Sequence, residues 1–199
     1  TGSMHAYRRS EVIRLDISDH HGLVNVRNRM ASLLLDQHRH SDAKALFGQN
    51  VAMAREEDLP YGLGNALVGL STVLLLEGDP AGALAMAMAA DSAASRAEEL
   101  NLQRDAAGAR YAALKELERW QEALTMHERV VLLNDSIQRE VNQRDLLRSG
   151  FKYAYERTAE TDSLRYVAER TRTEAKHREQ RTWLLALLMI VAVLASAAW

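Results

Sequence analysis

The most regularly repeated polar residue in this chain is a side-chain carboxamide or carboxylate that recurs at a constant interval. Its four copies, which define a 40-residue period, are Asn25, Asn65, Asp105 and Asp145. A carboxamide can donate to and accept from a peptide backbone, so this pattern is suited to binding an extended peptide. The same residue types are favoured in the first turn of a helix, where they accept bonds from free backbone N–H groups. The sequence leaves both interpretations open: a peptide groove or helix capping.

Other residues able to do chemistry are present but poorly spaced. Histidines occur in pairs at predicted turns, at His20 and His21 and at His38 and His40, without a third ligand at helical spacing. The chain has no cysteine, which excludes disulfides, thiolate zinc sites and cysteine nucleophiles. The glycine pair that opens one predicted helix lacks the preceding strand of a phosphate-binding loop. We therefore predict no enzyme activity, no catalytic residue, no metal site and no cofactor.

The composition favours a helical protein without a nucleic-acid partner. Lys and Arg number 25 and Asp and Glu 27, which gives a formal net charge of −2. No global positive field is therefore available to attract nucleic acid. Alanine and leucine are abundant, and only two prolines occur in 199 residues. These proportions predict an all-α chain.

The same period extends to apolar positions. Leu34, Leu74 and Leu114 fall in register, and so do Ala43, Ala83 and Ala123. A fixed period of this length is typical of a solenoid built from stacked helix pairs. The predicted pairs are 21–37 with 40–57, a second pair joined by the Gly-Asp-Pro turn at 78–80, and 101–117 with 120–137.

The repeat resembles the tetratricopeptide family. The resemblance rests on Leu70, Ser71 and Leu74 in a first helix, Gly78-Asp79 at the turn, and Ala83, Ala87 and Ala90 in a second helix. It covers residues 5–138 and is most specific in the second pair. In that family the first helices line a concave groove that binds peptide or protein. The resemblance therefore implies the groove residues Asn25, Asn28, Ser32, Asn65, Thr72, Asp105 and Asp145.

Residues 139–181 are predicted to form a long connecting and signalling helix. Leu147, Phe151 and Tyr155 recur at a spacing of four, which makes one apolar stripe on a helix. The stripe has two possible partners, the end of the third repeat or the same helix of a second chain. Leu164 and Val167 continue it beyond the repeats. We predict a parallel, coiled-coil-like homodimer through residues 160–199, in which these five residues carry dimerisation and transmission.

The two ends of the chain are distinct in composition. Residues 1–4 have the character of a cloning remnant. From residue 183 to 199 every residue is apolar except Ser196, and a helix of that length reaches about 25 Å, so we predict a transmembrane helix at 182–199. The segment before it is net positive, which taken alone would place it in the cytoplasm.

A second resemblance concerns this C-terminal part. The segment 151–157 and the charged helix after it are similar to Bacteroidetes-type single-span membrane receptors. That resemblance implies periplasmic repeats, anchoring in the inner membrane, and an output domain such as a histidine kinase, nucleotide cyclase, serine phosphatase or DNA-binding regulator. We expect the sensory, peptide- or protein-binding region of such a receptor. The alternative is a static membrane-tethered scaffold that assembles a protein complex.

Overall fold

The computed structural model describes the backbone of residues 2–197 and the side chains of residues 3–167, 169–173 and 176–184. Within that range the chain is helical throughout and has no strand, which confirms the predicted all-α class. The helices are α1 (Gly2–Asp16), α2 (His20–Asp36), α3 (His40–Glu56), α4 (Pro60–Leu76), α5 (Pro80–Ala97), α6 (Leu100–Glu116) and α7 (Trp120–Ala197).

The starts of α2 to α7 are evenly spaced along the chain, so two successive helices make one 40-residue repeat. Five of the six connections end their helix in the same way. At the turn of the third repeat, for example, Glu118 N–H donates to Lys115 O at 3.1 Å and Arg119 N–H donates to Leu114 O at 2.9 Å. These paired bonds satisfy carbonyls at the end of α6 and reverse the chain.

Each reversal needs one residue in the left-handed region of backbone conformation. Its φ lies between 48° and 80° in all six connections. The six residues are Ser18, His38, Asp58, Gly78, Glu98 and Glu118. Glycine alone adopts this conformation without a steric cost from a β-carbon. Five of the connections therefore carry backbone strain that the packed helices on either side hold in place.

Small residues dominate the contacts between helices. In α5 every buried position except Leu84 is alanine, and Ala83 is fully buried as its place in the repeat predicts. Three glycines of α4 bring backbones close to neighbouring side chains. A β-carbon at Gly62 would meet Val24, one at Gly64 would meet Leu102, and one at Gly69 would meet Phe47. The α2–α6 stack is thus held by close approach as much as by large side chains.

The long helix α7 begins as the second helix of the third repeat but does not end near 137. The sequence separated that helix from a connecting segment at 139–181, whereas the structure has one helix across both ranges. No glycine or proline occurs between 121 and 149 to end it. The chain divides into two compact units, Thr1–Val141 and Asn142–Trp199.

In the second unit the predicted dimerisation and transmission residues are all exposed: Leu147, Phe151, Tyr155, Leu164 and Val167. Among the described residues, no helix has an apolar stretch of the length needed to cross a membrane. The predicted span at 182–199 lies outside the described side chains from residue 185 onward.

Candidate binding groove

A groove of about 680 Å³ lies within the compact unit Thr1–Val141 and is lined by residues of α1, α2, α3, α4 and α6. It brings together six of the seven residues that the sequence assigned to a groove: Asn25, Asn28, Ser32, Asn65, Thr72 and Asp105. The seventh, Asp145, lies in the second unit and does not line it. Residues one repeat period apart therefore share one surface, since α2, α4 and α6 occupy equivalent places in successive repeats.

The repeated polar residues of this groove do not cap helices. Asn25, Asn65 and Asp105 are each the sixth residue of their helix, beyond the first turn. The side-chain caps of α2 and α5 are Asp19 and Asp79, each accepting a bond from the backbone N–H three residues on. The capping interpretation of the repeated residues is therefore wrong, and their polar groups are directed elsewhere.

The carboxamides keep hydrogen-bonding capacity for a ligand. Asn65 Nδ2 donates to Tyr61 O at 3.0 Å, and Asn25 Nδ2 lies 3.4 Å from His21 Nδ1. Each contact uses one N–H, and within the described residues the side-chain oxygens of Asn25 and Asn65 accept no bond. An oxygen and one N–H on each amide remain, which is the pair of groups that an extended peptide backbone needs.

The hydroxyl groups of the groove are partly engaged. Thr72 Oγ1 donates to Val68 O at 3.1 Å, and Ser32 Oγ donates to Asn28 O at 3.0 Å. Both bonds return to a carbonyl four residues earlier on the same helix, so the hydroxyl proton is occupied. Thr72 and Ser32 can therefore serve a ligand as acceptors.

Asn28 has a structural role that the sequence analysis did not foresee. Its side chain is buried, and Nδ2 donates to Gly62 O of α4 at 2.9 Å. Its oxygen accepts from Nδ2 of the fully buried Asn50 at 2.8 Å, and Asn50 also donates to Val24 O at 3.2 Å. This network ties α2, α3 and α4 together. Asn28 lines the groove, but its nitrogen and its oxygen are each already bonded to a neighbouring helix.

Asn50 carried a sequence signal that was not read. One and two repeats later the equivalent positions hold Ala90 and Val130, so an amide replaces an apolar residue at one place in the repeat. A polar side chain buried at such a position needs a hydrogen-bond partner. The oxygen of Asn50 has no partner among the described residues.

The lining of the groove is partly apolar and carries both charges. Its apolar members include Phe47, Val68 and Gly69. Its charged members are Arg29, Asp36 and Asp105, and Asp105 accepts a bond from Arg104 at 2.7 Å. Mixed charge gives no single-sign field of the kind that attracts phosphate or nucleic acid. The groove therefore suits a neutral or mixed chain with apolar side chains.

A second polar cluster joins α5, α6 and the first part of α7. Asp91 Oδ2 of α5 accepts from Arg110 of α6 at 2.8 Å and from Arg129 of α7 at 3.0 Å. The carboxylate is only 16% exposed, so these bonds are largely shielded from water. No sequence pattern indicates this cluster, because both arginines are distant from Asp91 in the sequence and the trio recurs in no other repeat.

Several of the described histidines are paired or stacked with other side chains rather than grouped as metal ligands. His38 and His40 have ring centroids 6.1 Å apart, and His20 pairs with Glu57. Within the described part of the chain, no group of three His, Cys, Asp or Glu residues is placed to hold a metal ion. His127 stacks at a tilt on Tyr111, with ring centroids 5.4 Å apart.

No protein-family model and no curated protein sequence matches the chain.

Proposed function

We propose that residues 5–138 are a tetratricopeptide-like helical-repeat region that binds an extended peptide or protein segment in the groove. The observation that carries the proposal is that Asn25, Asn65 and Asp105, which lie one repeat apart, line the same groove together with apolar residues. Groups repeated along a groove match a ligand that itself repeats, and a polypeptide backbone is such a ligand.

The form of the groove favours a peptide over a small molecule. Small-molecule sites are concave pockets lined mainly by apolar and aromatic residues. Here polar side chains from three successive repeats line the groove beside a few apolar residues, and the groove spans several helices. A chain lying along it would place backbone groups against the amides and one or two apolar side chains over Phe47 and Val68.

A peptide selection tests this proposal. A random library of linear peptides is panned on the chain, and selected peptides are measured by calorimetry against the parent and the variants Asn25→Ala and Asn65→Ala. Each variant should weaken binding about tenfold, the equivalent of about 1.4 kcal/mol, with the melting temperature nearly unchanged. Gln121→Ala, an exposed amide away from the groove, is the matched control and should bind as the parent does.

Two results would contradict the groove. The first is a library that yields no peptide with affinity above that for a scrambled sequence. The second is a set of peptides that bind the parent, Asn25→Ala and Asn65→Ala equally well.

We further propose that this region belongs to a single-span bacterial signalling receptor with periplasmic repeats, and the static membrane-tethered scaffold is the alternative. The support is the composition of residues 182–199 and the resemblance of the C-terminal part. An alkaline phosphatase fused before α1 should be active in cells when the repeats are exported. An inactive but stable fusion would contradict the periplasmic placement.

A further inference from the structure

The face of α7 that would receive a fourth repeat is open. In α3 and α5 the equivalent face is covered: Val51 and Leu84 are each 9% exposed. Leu124 of α7 corresponds to Leu84 one repeat earlier, and Val131 corresponds to Val51 two repeats earlier. Leu124 is 57% exposed and Val131 46%. This surface has the apolar character of an interior contact and lies in solvent. We call it the end face, formed by Trp120, Leu124, His127 and Val131.

The segment 141–157 has the sequence of the helix that would cover such a face. Gln143-Arg144-Asp145 repeats Gln103-Arg104-Asp105 of α6, which is a first helix. In α6 the residues Ala106 and Ala113 pack into the core, and their equivalents are Leu146 and Tyr153. These two side chains are 72% and 74% exposed. The structure therefore leaves both halves of a repeat contact uncovered.

The existing repeats define how the two halves would fit. Ala90 shares a core cluster with Ala106, and Leu84 shares one with Ala113. Moving each pair on by one repeat places Val130 against Leu146 and Leu124 against Tyr153. By interpolation between these two pairs, Glu128 and Arg148 lie at the same level along the two helices. Neighbouring helices in these repeats run antiparallel, so the new contact would also be antiparallel.

Charge favours the same pairing. The stretch 120–137 contains three acidic residues and one arginine, whereas 141–157 contains four basic and two acidic residues. The acidic stretch and the basic stretch attract each other, and either one against a copy of itself would repel.

We propose that the end face binds segment 141–157 of a second copy of this chain, in a reciprocal antiparallel dimer. The pairing is isologous: each chain gives its segment to the other and receives one, as in domain swapping. It covers the apolar end of the repeats, which a solenoid needs for solubility. The contact is distinct from the groove, so it neither requires nor prevents peptide binding.

This dimer competes with the parallel pairing of residues 160–199 that the sequence predicts. An antiparallel contact sends the two C-terminal segments in opposite directions, so the same two chains cannot make both. The antiparallel dimer therefore forms between chains whose C-terminal segments are not held side by side.

Cysteine cross-linking tests the pairing directly, because the chain has no native cysteine. Leu124→Cys and Tyr153→Cys are made separately in the full chain, given different tags, mixed in detergent and oxidised mildly. The expected product is a disulfide heterodimer of the two variants, well in excess of either homodimer. Thr125→Cys, one position round the helix from the end face, mixed with Tyr153→Cys is the matched control and should cross-link several-fold less.

The other outcomes overturn the proposal. Homodimers as abundant as the heterodimer indicate a parallel or end-to-end contact, and cross-linking no higher than the control indicates no contact. An intrachain disulfide in the double variant, independent of protein concentration, shows that the chain closes its own end face. Melting temperatures of all variants establish that each is folded.

Charge reversal provides a second measurement. Glu128→Lys or Arg148→Glu alone should raise the dimer dissociation constant, by up to about fivefold for an exposed pair. The double variant Glu128→Lys, Arg148→Glu should restore the parent value. Additive losses in the double variant would contradict this register.

Discussion

The ring of Phe47 in α3 occupies the space that a β-carbon at Gly69 of α4 would need. Phe47 is buried, so displacing its ring would disturb the packing of α3 against α4. Gly69→Ala should therefore reduce the free energy of unfolding by about 1–3 kcal/mol, measured by urea denaturation.

Gly108→Ala in α6 is the control, because nothing lies within 4 Å of the place that its β-carbon would take. It should gain up to about 1 kcal/mol. Equal effects of the two substitutions would contradict the α3–α4 contact.

Ala83 tests the repeat register. It is fully buried in one cluster with Ala113 and Ala123, and its carbonyl accepts a bond from Ser71 Oγ at 2.9 Å. Ala83→Glu would bury an unpaired charge and should lower stability by at least about 3 kcal/mol. Ala85→Glu places the same side chain on the exposed face of α5 and should change stability by no more than about 0.5 kcal/mol. A parent-like melting temperature for Ala83→Glu would show that the register is wrong.

The left-handed connections offer a stabilising substitution. Glu118 has a φ of 55° and an exposed side chain. Glu118→Gly should raise the free energy of unfolding by about 1 kcal/mol, since glycine adopts this conformation without steric cost. The converse change, Gly78→Ala, should lower it by a similar amount. Thermal melts of the two variants should thus shift in opposite directions, and a shift in the same direction would contradict the connection geometry.

Asp19 makes stability depend on pH. The hydrogen bond from the Gly22 backbone N–H holds the pKa of Asp19 below its ordinary value, and Arg14 adds to this effect. A lowered native pKa stabilises the fold above the unfolded-state pKa, and the stabilisation is lost as pH falls through the native pKa. Asp19→Asn keeps a capping oxygen but does not titrate. The stability difference between parent and variant should be largest at neutral pH and vanish in acid. A difference independent of pH would contradict the assignment.

The helices were predictable because their signals recur. The sequence placed helices at 21–37, 40–57 and 101–117, and the structure has them at His20–Asp36, His40–Glu56 and Leu100–Glu116. Apolar residues in register fix which face is inside, so the burial of Ala83 follows from its position alone. The connections were harder to predict, since only Gly78 of the six left-handed residues has a local signal.

The parts that were missed depend on single contacts rather than on the repeat. Asn50 reaches Asn28 and Val24 on a neighbouring helix, and Asp91 reaches Arg110 and Arg129. Such pairs occur once, so periodicity marks Asn50 as a break in the apolar register but does not identify the partner of either residue. The repeated amides were found through their spacing, but the choice between capping and a groove needed their position in the helix. They are sixth residues, well past the first turn.

The even spacing of the helices has a consequence for how the gene can change. Because every helix from α2 onward starts at the same interval after the last, inserting or deleting one whole repeat preserves the orientation of everything that follows. A single residue inserted within a helix would instead rotate the later side chains of that helix by about 100° and turn its groove residue away from those of the other repeats. The chain thus tolerates growth by whole modules and resists change by small steps. Duplication is the accessible route to a longer groove.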